Sequence, residues 1–323
     1  MLLHSQRHLA LGLLLFLLLL CIGYAFERIG EWKDLRANPA PGRLISVGDH
    51  RLHLLCKGNQ GPTVVIEQGA GELSSLWWPV QEEIAKFARV YTYDRAGYGW
   101  SDPVKEPRTV EDRARDLHAL LLQAGVQAPF IFVAHSYGGL IVRQYLQEHP
   151  DDVAGLVLVD TPEQSSIFRK DVLAFYAKAR MLNKFAEVIA RFGVLRLLRI
   201  WVPLDRYGFW LRRPSEYEAL CDDLSSLDRV PPARRVSERN GSLGSLPLTV
   251  MTHGLPFPGP FTVLEQNWSE GQKQLASLST NSVLIVAQKS NHMIQHDEPA
   301  LVVDAIRCIH VAVEKRVHLG QIY

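Results

Sequence analysis

The chain has 323 residues, 47% of them hydrophobic and 21% charged, with a formal net charge of +1 at pH 7. That composition is ordinary for a globular protein, and the length suits one large α/β domain or two small ones. The near balance of charge, with no arginine-rich tract, argues against a nucleic-acid binder.

The first element is apolar. Leu9 to Phe26 is an uncharged, leucine-rich run; as a helix at 1.5 Å per residue it would be about 27 Å long, close to the thickness of bilayer hydrocarbon. Arg7 precedes it, as in a signal peptide, but Ile22-Gly23-Tyr24-Ala25-Phe26 offers no clean small-x-small cleavage site. The expectation is an uncleaved anchor over residues 1–27, the alternative a secreted protein after cleavage. Arg28, Lys33, Arg36 and Arg43 follow the run, which weakly favours a cytoplasmic main domain and leaves the side of the membrane open. Residues 28–42, ending in Ala37-Asn38-Pro39-Ala40-Pro41-Gly42, read as a linker.

From Arg43 onward, β-rich runs alternate with helical segments. Leu44–Val47 and Leu52–Cys56 flank Gly48-Asp49 as a hairpin. Strands are expected at 63–66, 90–93, 130–133, 153–159, 248–251 and 283–286. Thr109 to Ala124 is a helix with Thr109 as N-cap, Asp112 at capping-box spacing and Gly125 as its stop. Continuous apolar strands mean a sheet covered on both faces, so the fold class is α/β, mostly parallel and doubly wound, opened by an antiparallel hairpin. Residues 43–162 and 247–323 form this core, and residues 163–246 a helical insertion.

The insertion's first part is basic: Glu163 to Arg213 holds 11 Lys/Arg against 4 Asp/Glu. It also carries Phe192, Leu197, Leu198, Ile200, Trp201, Tyr207, Phe209 and Trp210. One reading is a cap packing its apolar face on the sheet domain; the sharper one is a cap whose basic, Trp-bearing surface rests on a membrane. Cys21, Cys56, Cys221 and Cys308 contain no C-x-x-C pair, so neither a zinc site nor a disulfide framework is indicated, and buried free thiols are expected. No metal or cofactor is called for, and the oligomeric state is left open.

The chemistry concentrates at Ala134-His135-Ser136-Tyr137-Gly138-Gly139, between the strand Phe130–Val133 and the helical run from Leu140. A serine at a strand-to-helix turn flanked by small residues is either a nucleophile or a helix N-cap. Four further segments surround it in order: Gln68-Gly69-Ala70-Gly71, Asp94-Arg95-Ala96-Gly97-Tyr98-Gly99-Trp100-Ser101, Leu156-Val157-Leu158-Val159-Asp160, and Ser290-Asn291-His292 through Pro299. Together they resemble the α/β-hydrolase fold family, in its serine-nucleophile, esterase- and lipase-like branch with a helical cap, over roughly Arg43 to the C-terminus.

The resemblance implies an oxyanion loop at 68–71, Ser136 as nucleophile and His292, on the loop after the last strand, as its base. His296, His253 and His135 are the rival histidines. The usual acid position follows the strand at 248–251, where Thr252-His253-Gly254 holds no carboxylate. A minority pattern puts the acid after the preceding strand, at Asp160, with Glu163 and Glu265 as alternatives. Oxyanion donors would be the backbone amides of Tyr137 and Ala70, with Gly71 one residue on. Glu67 is expected to accept from loop amides. The implied reaction is hydrolysis of a small-molecule carboxylic ester, apolar or lipid-like, through an acyl-enzyme. Amidases, aminopeptidases, C–C hydrolases and acyltransferases share this machinery, and a non-catalytic binding protein could keep the fold.

Overall fold

The structure, a computed structural model, describes residues 2–198, 213–230 and 242–323. Its apolar runs form eight strands of one sheet, in the order β1-β2-β4-β3-β5-β6-β7-β8. β1 (Arg43–Val47) and β2 (His50–Lys57) are the expected hairpin, and β2 runs antiparallel to β4 (Arg89–Tyr93). The remaining pairs, among β3 (Thr63–Glu67), β4, β5 (Phe130–His135), β6 (Val153–Val159), β7 (Leu248–His253) and β8 (Ser282–Ala287), are parallel.

Strand side chains alternate, so each central strand feeds two cores. Val65, Phe132, Leu156 and Leu158 pack with α3 (Val110–Gln123) and α4 (Gly138–Glu148). Val64, Ile66, Ile131, Val133 and Val157 face the other way, onto α2 (Trp78–Ile84) and α11 (Pro299–Lys315). Helices cover both faces, which is why these strands read as unbroken apolar runs. The capping box forms as expected: Thr109 Oγ1 accepts from the Asp112 amide at 3.1 Å, and Asp112 accepts from the Thr109 amide at 2.8 Å.

Between β6 and β7 the chain forms α5 (Gln164–Ile167), α6 (Lys170–Arg191), α7 (Val194–Leu198) and α8 (Pro214–Ser226). Ile167, Val172, Ala190, Tyr217 and Leu224 are buried beneath this cap, so part of its apolar surface packs inward. Ile200, Trp201, Tyr207, Phe209 and Trp210 lie outside the described residues.

Two expectations are corrected. The linker expected over 28–42 is helical as far as Ala37, because α1 (Leu2–Ala37) runs on past the apolar segment. Its continuation docks on the cap: the Arg196 guanidinium reaches Glu27 at 2.9 and 3.0 Å and Asp34 at 2.8 Å. Glu27 and Asp34 are two helical turns apart and share that face. The cysteines are free, but of the three beyond the apolar run only Cys221 is buried; Cys56 is exposed and Cys308 intermediate. Cys56 lies on a hairpin strand whose outer face meets solvent.

Candidate active site

β5 ends at His135 and α4 begins at Gly138, which leaves two residues to reverse the chain. Ser136 takes φ +48°, a left-handed conformation that costs a non-glycine residue free energy. Its amide donates to the Val159 carbonyl at 3.1 Å, which ties the turn to the next strand. A side-chain carbon at Gly138 would lie 2.6 Å from the Gln68 carbonyl oxygen and 2.7 Å from that of Glu67. The small residue is therefore demanded by backbone approaching backbone.

Asp160 repeats this geometry one strand away. Its φ is +46°, and its amide donates to the Met251 carbonyl at 2.8 Å. β5 and β6 pair with His135 opposite Val159, so Ser136 and Asp160 leave equivalent points of adjacent parallel strands. Both stand at the carboxyl edge of the sheet, where open α/β folds place their ligands.

The loop after β8 brings His292 between them. His292 Nδ1 lies 2.7 Å from Asp160 Oδ2, and Nε2 lies 2.9 Å from Ser136 Oγ. A carboxylate only accepts, so Nδ1 carries the proton and Nε2 is left to accept from the serine hydroxyl. Burial pushes the His292 pKa below its ordinary 6.5, assisted by nearby His135 and opposed by the bond to Asp160. The imidazole is thus held in its neutral, basic form at pH 7.

Asp160 is fully buried and accepts from three further donors. These are His253 Nδ1 at 2.7 Å, the His253 amide at 3.1 Å and Trp268 Nε1 at 2.9 Å. Burial alone would raise its pKa, but the bonds from His253 and His292 outweigh that and hold it below the usual carboxylate range. His253 Nε2 in turn faces Glu265 Oε1 at 3.4 Å. Burial opposes its charge, yet Asp160 and Glu265 together raise its pKa.

A second rival histidine, His135, turns away from the serine. Its Nδ1 lies 2.6 Å from Glu72, and its Nε2 lies 2.9 Å from the His292 carbonyl. Both partners accept, so both nitrogens donate and the ring is a cation. Burial works against this pair, but His135 still lowers Glu72 to about 2. The bond to the His292 carbonyl orients the loop bearing His292. His296 falls in a short helix, α10 (Ile294–Asp297).

On the opposite side lies the loop 68–71. Among the described residues, the amides of Tyr137 and Ala70 donate to no protein acceptor. The Gly69 amide bonds Glu72 at 3.1 Å, and the Gly71 amide faces Asp223 at 3.4 Å. Of the two loop amides considered from the sequence, Ala70 is thus the one left for a ligand. Glu67 is corrected here: it accepts from Tyr93 and Arg95 rather than from loop amides, because its side chain points beneath the loop. Glu72 takes the role expected of it.

Comparison with known proteins agrees with this architecture. Residues 62–201 match the profile of the α/β hydrolase fold. A thermophilic esterase from Thermogutta terrifontis superposes with a TM-score of 0.63 at 19% identity, over 85% of this chain and 97% of that one. The chain has the α/β-hydrolase fold. The enol-lactonase of Burkholderia xenovorans LB400 is also similar in structure, with a TM-score of 0.58 at 17% identity, over 83% and 99% of the two chains. In sequence, the uncharacterized protein YqjL of Bacillus subtilis (strain 168) is 29% identical over 246 residues, 76% of this chain and 82% of its own.

Within this fold, the alternative acids have other partners. Glu163 caps α5, accepting from the Ser165 and Ser166 amides at 2.9 and 3.2 Å. Glu265 accepts from the Phe257 amide at 3.0 Å and meets His253. Sequence reading missed Glu72, Trp268 and the cap residue Asp223. Asp223 meets Arg95 at 3.0 Å and Arg113 at 2.8 Å, while Arg95 also donates to the Gln68 and Gly69 carbonyls at 2.7 Å each. The Asp94-Arg95 motif was visible; what its arginine holds was not, because Asp223 lies 128 residues away. Among the described residues, one group of metal-type ligands, His118, His149 and Asp152, lies within 4.8 Å of one another. It sits at the opposite, amino edge of the sheet, where His118 and His149 stack face to face at 3.8 Å.

Proposed function

We propose that this chain is a membrane-anchored serine hydrolase that cleaves a carboxylic ester of an apolar acid through an acyl-enzyme. The observation that carries the proposal is the unbroken line of hydrogen bonds from Asp160 through His292 to Ser136, at 2.7 and 2.9 Å. Ser136 Oγ attacks the acyl carbonyl while His292 Nε2 takes its proton. Asp160 keeps the imidazole in the right tautomer and stabilises the imidazolium. The oxyanion sits on the Tyr137 and Ala70 amides, which stabilise it at the moment charge develops. His292 returns the proton to the departing alkoxide, completing the alcohol. It then draws a proton from water, whose hydroxide attacks the acyl-serine; collapse releases the acid and restores the Ser136 hydroxyl.

An ester is favoured over an amide because alkoxide leaves more readily than amide anion. The resemblance to an esterase and an enol-lactonase supports acyl chemistry of this kind. Phe257 and Trp268, with ring centroids 5.1 and 6.1 Å from that of His292, make the surroundings of the base apolar. The anchor is α1, which is long and apolar enough to cross a membrane.

A fluorophosphonate probe tests the reading. Wild type is expected to label at Ser136, and Ser136→Ala to lose the label; equal labelling, or none in either, sinks the hydrolase assignment and favours a binding protein. A panel of esters and matched amides of increasing acyl length then identifies the bond and the acyl group.

A further inference from the structure

We propose that the exposed apolar face of the cap helices α6 and α7 rests in the surface of the bilayer that α1 spans. Substrate then reaches the serine from the membrane. This rests on the anchor reading of α1, and the test below separates the two.

The first argument is depth. α1 touches the cap inside its own apolar run: a side chain at Gly23 would collide with the Phe192 carbonyl, and one at Gly193 would lie 2.8 Å from Phe26. Gly23 is three residues short of the end of that run, about 4–5 Å below the hydrocarbon edge at 1.5 Å per residue. Interfacial helices sit about 5–10 Å into this boundary. If Leu9–Phe26 spans the hydrocarbon, the turn between α6 and α7 is held at membrane level.

The second argument is the surface at that level. Met181, Leu182, Phe185 and Val188 occupy one helical stripe of α6 and are 64%, 55%, 66% and 45% exposed. Leu197 and Leu198 of α7 add 52% and 47%. Soluble monomers rarely leave so continuous an apolar strip in water. The helices that carry it are basic, with Lys170, Lys178, Arg180, Lys184, Arg191 and Arg196 against Asp171 and Glu187, which suits anionic headgroups. Glu187, on a different face of α6 from the stripe, is buried and paired with Lys184 and Arg191.

The third argument is continuity with the site. α6 also carries Phe175, edge-on to Phe261 at 5.3 Å. Phe261 shares its loop with Phe257, which lies 5.1 Å from His292. An apolar track therefore joins the strip to the catalytic histidine.

The test uses the full chain in vesicles of phosphatidylcholine and phosphatidylglycerol, with Cys21, Cys56, Cys221 and Cys308 replaced by serine. An environment-sensitive nitrobenzoxadiazole label is placed at Phe185→Cys or, as control, at Leu122→Cys on α3, itself 65% exposed. Retained fluorophosphonate labelling checks that each variant is folded. The label at 185 is expected to emit to the blue and to be quenched by acyl-chain nitroxide lipids; the label at 122 is expected to be quenched by aqueous iodide. Iodide quenching at 185 overturns the proposal. So does a blue shift that lipid nitroxides leave untouched and that fades as protein is diluted in lipid, which would mark a second copy of the chain. A carbonate wash reads the anchor separately: extraction of the protein defeats the anchor, whereas retention with an aqueous label at 185 defeats the cap contact alone.

Discussion

Asp160 and His253 are joined twice, by the His253 amide at 3.1 Å and by its ring Nδ1 at 2.7 Å. His253 stands where most α/β-hydrolases would carry the acid. In the proposed triad the acid lies one strand over, at Asp160, and the residue at the usual place donates to it. His253 and His292 compete for the same carboxylate, so His253 limits how strongly Asp160 can stabilise a charged His292.

That competition predicts a shifted pH profile. In His253→Phe, which keeps an aromatic ring beside Phe257 and Trp268, Asp160 loses one ring donor and binds His292 more strongly. The His292 pKa should rise, so the acid limb of kcat/KM should move to higher pH than in wild type. An unmoved limb would mean that His253 only fills space.

Wild type itself has a predicted acid limb. In the proposed mechanism the neutral form of His292 is the base, and its pKa is lowered from 6.5, chiefly by burial. Activity should therefore be full at neutral pH and fall only below 6.5, as the ring takes up a proton and can no longer accept from Ser136. A kcat/KM profile between pH 4 and pH 8 checks this; a midpoint above 6.5 contradicts it.

Asp160→Asn should cost on the order of 10⁴ in turnover, because an amide can present its N–H to His292 and favour the wrong tautomer. Circular dichroism should confirm that the variant is folded. Near-normal turnover would point to Glu265, through His253, as the supporting carboxylate.

Gly138→Ala tests the closeness of the elbow to the oxyanion loop. Its new methyl would stand 2.6 Å from the Gln68 carbonyl, so either the loop moves or the turn does. Overpacking of this kind costs about 1–3 kcal/mol. The melting temperature should fall by several degrees, and fluorophosphonate labelling should slow because Ala70 is displaced with Gln68. A normal rate alongside a lowered melting temperature would separate loop position from stability.

How much was legible follows from the range of each interaction. The hairpin, the capped helix at 109–124, the two apolar faces of the strands and the tight turn at Ser136 all depend on neighbours a few residues away, and their patterns stand in the chain itself. The pairing of Ser136 with His292 was reachable because the five segments follow one another in the order that the resemblance to α/β-hydrolases implies. The partner of His292 was legible only as a choice: the sequence put Asp160 first, with Glu163 and Glu265 as alternatives, and the register of β5 against β6 sets Asp160 beside the serine turn. The same holds for Glu72 and Glu67, five residues apart at either end of one loop, whose roles depend on which way each side chain leaves it. The docking of α1 on Arg196 likewise needs residues 162 and 169 apart to meet. Local backbone preference is written in sequence; which buried carboxylate finds which cation is decided when distant segments pack, since only then does burial make each pairing obligatory.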